Sequence, residues 1–82
     1  MNGVPTSKKK GFQDERYRAL IGKLINARKS SGLSQAELAI RLNRHQQFVS
    51  RYEIGERRLD IVEFIDISRA LGVDMSILDG VS

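Results

Sequence analysis

Residues 34–53, SQAELAIRLNRHQQFVSRYE, decide the fold, because they read as two short helices joined by a tight turn. Ser34 and Glu37 have the spacing of a capping box, which predicts that the first of these helices begins at Ser34. Its apolar residues lie on one stripe at helical spacing, namely Leu38, Ala39 and Leu42. This stripe predicts a helix that packs one face against a core.

The turn is predicted at Asn43 and Arg44, because asparagine can adopt the left-handed conformation that a sharp turn needs. The second helix then runs from about residue 46 to residue 53. Val49 and Tyr52 are predicted to point inward.

The opposite face of the second helix carries a block of polar side chains. Gln46 and Ser50 are four residues apart, as are Gln47 and Arg51, so all four project on the same side. In a DNA major groove, glutamine can bond to adenine, arginine to guanine, and serine to a base edge or a phosphate. The block is therefore suited to reading bases, although a solvated helix also shows such residues to water.

From Leu24 to Leu78 the chain resembles the phage repressor and Cro type of helix-turn-helix domain, the Xre family. The matching features are Arg28 four residues before Gly32, GLSQAELA at 32–39, VSRYE at 49–53, IGERRLD at 54–60 and ISRALGV at 67–73. The resemblance implies an all-α fold, a compact five-helix lambda-repressor-like bundle that binds double-stranded DNA.

The resemblance also implies roles for single residues. It places Gln46, Gln47 and Arg51 at base edges, gives Ser50 base or backbone contact, and places Gln35 and Arg57 at phosphates. Arg44, Arg58 and the lysines at 8–10 are further candidates for phosphate contact. Arg28 and Glu53 match a pair that forms a buried salt bridge in several relatives, and we interpret this pair as structural.

Three residues depart from the family pattern. Asn43 replaces the commoner glycine, Arg44 an apolar residue, and His45 the usual Ser or Thr cap of the second helix. His45 is expected to start that helix or to contact a phosphate, and the alternative is a buried structural role. It is the only histidine in a chain without cysteine, so we predict no metal site and no catalytic role.

Length and composition indicate a small binding module. The 82 residues are expected to form one domain, residues 13–82, preceded by a basic segment at 1–12 that reads as a disordered arm or a cloning remnant. No apolar run could span a membrane, and residues 1–10 lack the apolar core of a signal peptide, so we expect neither a membrane span nor a secretion signal. With no cysteine, the chain is expected to be cytoplasmic.

The net charge of +4 is unevenly distributed. Residues 8–10 carry +3, and residues 13–58 carry +5 from ten Lys and Arg against five acids. Residues 59–82 carry −4, from one Arg against five acids. A polyanion would therefore be attracted to the part of the chain that holds the two-helix unit.

Two further helices are predicted around this unit. The first runs from about Asp14 to Ser30 and ends at Gly32, and the other runs from a cap at Asp60 to Leu71 and ends at Gly72. Their inward residues are expected to be Tyr17, Leu20, Ile21 and Leu24 in one, and Phe64, Ile67 and Leu71 in the other. A last short helix or turn is expected to contain Met75, Ile77 and Leu78.

The helix after Asp60 carries additional apolar residues, Ile61, Val62 and Ile65. They are candidates for a dimer interface, and the alternative is burial beneath the last helix. A symmetric dimer would place two reading helices about 34 Å apart and would bind a palindromic site.

The sequence thus predicts a sequence-specific DNA-binding transcriptional regulator, a repressor that acts as a homodimer. The alternative is a protein-interaction module on the same scaffold that binds a partner through the helix after Asp60. No Gly-rich phosphate loop, nucleophile with a base, or metal-ligand cluster is present in the sequence. We therefore expect no enzymatic activity, no cofactor and no small-molecule ligand.

Overall fold

The computed structural model describes residues 14–74 and residue 76. This part of the chain contains four α-helices and no strand: α1 (Glu15–Ser30), α2 (Gln35–Leu42), α3 (Gln46–Ile54) and α4 (Ile61–Leu71). The all-α prediction is confirmed. The expected arm at residues 1–12 and most of the expected fifth helix, including Met75, Ile77 and Leu78, lie outside the described residues.

Side-chain caps set the starts of three helices. Asp14 accepts a hydrogen bond from the Arg16 amide at 2.8 Å and so begins α1. The capping box predicted at the start of α2 is present, because Ser34 Oγ accepts from the Glu37 amide at 3.0 Å and Glu37 Oε1 accepts from the Ser34 amide at 2.8 Å. These contacts satisfy backbone amides that have no partner within the helix.

Asp60 begins α4 through a second capping box. Its carboxylate accepts from the Glu63 amide at 2.7 Å, and Glu63 Oε1 accepts from the Asp60 amide at 3.0 Å. The cap at Asp60 was predicted from the sequence, whereas the reciprocal contact of Glu63 was not. Glu63 is therefore fixed to the first turn of α4 by a short backbone contact.

The turn between α2 and α3 is built on Asn43. Its φ of 57° and ψ of 45° lie in the left-handed region, and Asn43 is the one non-glycine residue of the described part with a positive φ. Its amide donates back to the Ile40 carbonyl at 3.0 Å, and the Arg44 amide donates to the Ala39 carbonyl at 2.9 Å. The chain thereby reverses within two residues, as the sequence predicted.

The core is formed by residues from all four helices and by Leu59 of the segment before α4. Helix α2 packs against α3 and α4, and α1 packs against the same two helices. The buried apolar residues are Ile21, Leu24, Leu38, Ala39, Phe48, Val49, Tyr52, Leu59, Phe64 and Ile67. The inward positions of Val49 and Tyr52 are confirmed, while the burial of Phe48 was not predicted.

None of the described helices is both long and apolar enough to cross a membrane.

Candidate nucleic-acid interface

The polar block of α3 lies on the surface, opposite the core. Gln46, Gln47 and Arg51 are exposed and Ser50 is half-buried, whereas Val49 and Tyr52 on the other face are fully buried. Within the described residues, none of the four polar side chains makes a hydrogen bond or ion pair. The structure therefore brings the predicted base-reading residues together with free donors and acceptors.

Helix α3 is tied to α1 by a buried ion pair on its inner side. Arg28 Nε donates to Glu53 Oε2 at 2.7 Å, and Arg28 Nη2 donates to Glu53 Oε1 at 3.0 Å. The third nitrogen, Nη1, donates to the Leu33 carbonyl at 2.8 Å. The hydrogen bonds to Glu53 raise the pKa of Arg28. The structure thus brings together the two residues that the resemblance paired.

Glu53 also receives a contact from α2. Gln35 Nε2 donates to Glu53 Oε1 at 2.9 Å, so the side-chain amide NH2 of Gln35 points toward the ion pair. The predicted phosphate contact of Gln35 stays a prediction. In the described part of the chain its side chain links the start of α2 to the end of α3.

A second carboxylate, that of Glu63, joins two arginines that flank α3 in the sequence. Arg57 forms a two-pronged contact, Nη1 to Oε1 at 2.9 Å and Nη2 to Oε2 at 2.8 Å. Arg44 Nη2 donates to Oε2 at 3.2 Å. We call Arg44 and Arg57 the arginine pair.

The arginine pair also lies against the ring of Phe48. The guanidinium carbons of Arg44 and Arg57 are 4.3 Å and 4.9 Å from the ring centroid, within the range of cation–π attraction. The ring in turn packs against Tyr52, with centroids 5.6 Å apart. Phe48 therefore connects the core to the surface beside the reading residues.

Neither Phe48 nor Glu63 was among the predicted site residues. The sequence held a signal for each, because Phe48 lies four residues before Tyr52 on the buried side and Glu63 lies three residues after the Asp60 cap. The contacts of Phe48 and Glu63 with Arg44 and Arg57 join residues from separate segments, so no short sequence pattern predicts them.

One groove collects most of the predicted contact residues. It measures about 320 Å³ and is lined by Arg44, His45, Gln47, Phe48, Arg51 and Arg57. His45 is exposed at the N-cap position of α3 and its side chain accepts no capping hydrogen bond, so it does not have the buried structural role that was one alternative. The groove thus joins part of the reading face to three cationic or titratable side chains at its edge.

Arg58 lies apart from this groove. Its guanidinium carbon is 5.8 Å from the ring centroid of Tyr17, on α1, and it lines a different surface depression with Asp14 and Arg16. The side chain of Arg58 is therefore directed away from those of Arg44 and Arg57, although Arg57 Nη1 donates to the Arg58 backbone carbonyl at 3.4 Å. Its predicted phosphate contact stays a prediction.

The candidate dimer residues lie at the start of α4. Ile61 is 64% and Val62 62% exposed, while Ile65 is half-buried. These two adjacent aliphatic side chains form an exposed apolar spot, and Ile40 and Ile54 are the other exposed large apolar residues of the described part of the chain.

No group of three or more His, Cys, Asp or Glu side chains in the described part of the chain is placed to hold a metal ion.

Replacing Arg28 with methionine should destabilise the fold strongly. Arg28→Met keeps most of the apolar stem but leaves the Glu53 carboxylate buried with Gln35 as its remaining side-chain partner, so the free energy of unfolding should fall by roughly 3–5 kcal/mol. Denaturant unfolding measures this change. Arg69→Met, on the exposed side of α4, is the matched control and should stay within about 0.5 kcal/mol of the wild type. An equal effect of both substitutions would contradict a structural role for the pair.

The contacts of Glu63 predict acid sensitivity. Hydrogen bonds from Arg57 are the largest cause that lowers the pKa of Glu63 from 4.5 to about 2, and burial opposes them. Between these values the unfolded chain binds a proton that the folded chain does not, so lowering the pH through this window should reduce the free energy of unfolding.

Urea unfolding over a pH series tests this. Glu63→Gln should show a shallower loss of stability between pH 4.5 and about 2 than the wild type. Glu56→Gln, at an exposed glutamate, should keep the wild-type dependence. If the free energy of unfolding fell with pH by the same amount in the wild type and in Glu63→Gln, the expected contribution of Glu63 would be contradicted.

Comparison with known proteins agrees with this geometry. A family model described as helix-turn-helix matches residues 24–78. Among solved structures, the chain is similar to an XRE-family like protein from Pseudomonas syringae pv. tomato str. DC3000, with 49% identity, coverage of 79% of each chain and a TM-score of 0.73. No match was found among the curated proteins. The chain therefore belongs to the Xre family of helix-turn-helix proteins, whose members are DNA-binding transcription regulators.

Proposed function

We propose that the protein is a sequence-specific regulator that represses transcription by occupying a palindromic operator as a homodimer. The observation that carries this proposal is the outer face of α3, where four polar side chains have no hydrogen-bond or ion-pair partner among the described residues and lie beside a groove lined by three arginines and a histidine. Such a face offers unsatisfied hydrogen-bonding groups to base edges and positive charge to the adjacent backbone.

In this proposal, base choice comes from Gln46, Gln47, Ser50 and Arg51. Glutamine amides can contact adenine N6 and N7, and the Arg51 guanidinium can contact guanine O6 and N7. The core contacts of Val49 and Tyr52 support the proposal, because they fix which side of α3 is turned outward.

Position on the duplex comes from phosphate contacts around this face. Arg44, His45 and Arg57 line the same groove as Gln47 and Arg51, which supports the proposal that they contact the backbone strand next to the bases being read. Gln35 and Arg58 are proposed as more distant phosphate contacts. The excess of basic residues over residues 13–58 attracts the duplex to this side of the protein.

The homodimer is proposed from the exposed start of α4. Ile61 and Val62 would be covered in a symmetric dimer, with the half-buried Ile65 beside them. Two linked reading helices would also bind more tightly than one, since a helix of nine residues offers few base contacts. Repression by occlusion needs only occupancy of the operator, and we propose no enzymatic activity.

The same exposed residues support a second candidate function, capture of a partner protein through α4. The two functions differ in their response to salt. DNA binding through several phosphates weakens steeply as salt rises, whereas binding through an apolar surface is nearly insensitive.

Two arginine substitutions separate base reading from backbone contact. Arg51→Ala should lose on the order of 1–3 kcal/mol of binding free energy and relax the preference at one base pair. Arg57→Ala should weaken binding to all sequences alike and lower the slope of log affinity against log salt by about 1. Both effects are measured by titrating a set of duplexes that differ at single base pairs.

A sequence-independent loss of the same kind in both variants would contradict the role of Arg51 as a base reader. Absence of salt dependence in the wild type would favour the partner-capture function.

A further inference from the structure

Glu63 places a negative charge within the surface that the proposed function assigns to DNA. Its carboxylate is buried, and its position is set by the amide of Asp60 at 3.0 Å on the first turn of α4. Simple charge arguments predict that a carboxylate here weakens binding to a polyanion. Its contacts indicate a different effect.

The arginine pair is held by Glu63 without being neutralised. Two guanidinium groups share one carboxylate, so the cluster keeps a net charge of one positive unit. The side chains of Arg44 and Arg57 remain 42% and 39% exposed. The positive charge is therefore still accessible at the groove.

Hydrogen-bond donors also remain available on both guanidiniums. A guanidinium carries five N–H groups. Within residues 14–74, Arg57 uses Nη1 and Nη2 toward Glu63 and makes a weaker contact from Nη1 to the Arg58 carbonyl at 3.4 Å, which leaves Nε–H without an acceptor there. In the same part of the chain Arg44 donates to Glu63 through Nη2 alone, so most of its N–H groups have no acceptor.

The ring of Phe48 fixes the other side of the arrangement. Both guanidiniums lie within 4.9 Å of the ring centroid, and Phe48 is itself buried against Tyr52. The arginine pair is thus ordered by a carboxylate and a ring before any ligand binds. Free arginine side chains lose conformational entropy on binding, and ordering them in advance removes that cost.

We infer that Glu63 is a positioning residue for DNA binding, which holds Arg44 and Arg57 against Phe48 so that their free N–H groups contact the backbone phosphates beside the reading face. The inference rests on the proposed function, and it adds a role for a residue that touches no DNA itself. It reverses the expectation from charge alone, because removal of this carboxylate should weaken DNA binding.

The test compares Glu63→Gln with Glu56→Gln on double-stranded DNA of random sequence. Both changes remove one negative charge, but Glu56 is exposed and its side chain has no partner within the described residues. Glutamine at position 63 keeps an acceptor for the Asp60 amide, so the capping box can persist. Random-sequence DNA isolates phosphate contacts from base reading.

Fluorescence anisotropy at fixed moderate salt should give opposite results for the two variants. Glu63→Gln should bind weaker than the wild type on the order of tenfold, because two arginines must then be ordered on binding. Glu56→Gln should bind equally well or slightly tighter. Equal or tighter binding by Glu63→Gln would overturn the inference.

A comparison in a variant that lacks both arginine side chains distinguishes positioning of the arginine pair by Glu63 from a general effect of Glu63 on the structure. In a chain that already carries Arg44→Ala and Arg57→Ala, Glu63→Gln should cause no further loss of binding, and binding should be equal or slightly tighter because one negative charge is removed. A loss that persists in that background would overturn the inference, since Glu63 would then act through something other than the arginine pair.

Phe48→Leu gives a second variant that does not depend on the carboxylate. Leucine keeps an apolar side chain in the core but removes the ring, so binding should weaken by roughly threefold. Circular dichroism confirms that each variant is folded. If the folded wild type bound no duplex at all, the proposed function would fail and the inference with it, whereas normal wild-type binding with an unaffected Glu63→Gln variant would reject the inference alone.

Discussion

The buried carboxylate of Glu53 is the constraint on which the proposed base-reading surface of α3 depends. It lies on α3, two residues after Arg51, and accepts hydrogen bonds from Arg28 of α1 and Gln35 of α2. Holding this one group fixes α3 against both helices, and therefore fixes which side chains face outward. Because desolvation offsets much of the attraction in a buried ion pair, its main effect is to orient the helix.

Glu63 acts at the edge of the same surface in a complementary way. It reaches from α4 to Arg44, just before α3, and to Arg57, just after it. One carboxylate therefore contacts the segments at both ends of α3, and the ring of Phe48 lies against both arginines between them. Each of the two acidic residues of this basic face is paired with arginine. Glu53 binds Arg28 in the interior, and Glu63 binds Arg44 and Arg57 at the surface.

Interactions between residues close in sequence account for most of the fold features that were predicted. The caps at Ser34 and Asp60 and the left-handed turn at Asn43 depend on residues within four positions of each other, so sequence alone reveals them. The contact between Arg28 and Glu53 spans 25 residues and was expected only through family resemblance. The cluster around Glu63 was missed, because it joins three segments that only tertiary packing brings together. No local sequence pattern distinguishes the side-chain direction of Arg58 from that of Arg57, but in the fold the Arg58 guanidinium lies near the ring of Tyr17.

The most direct test of a base-reading α3 is selection of bound sequences from a randomised pool of double-stranded DNA at near-physiological salt. The selection is carried out in parallel with the wild type and with a variant carrying Gln46→Ala and Gln47→Ala. The account predicts that the wild type recovers a motif with two-fold symmetry, and that the variant still binds DNA but loses preference at specific positions in each half-site. Recovery of no motif by the wild type, or of the same motif by both proteins, would contradict it.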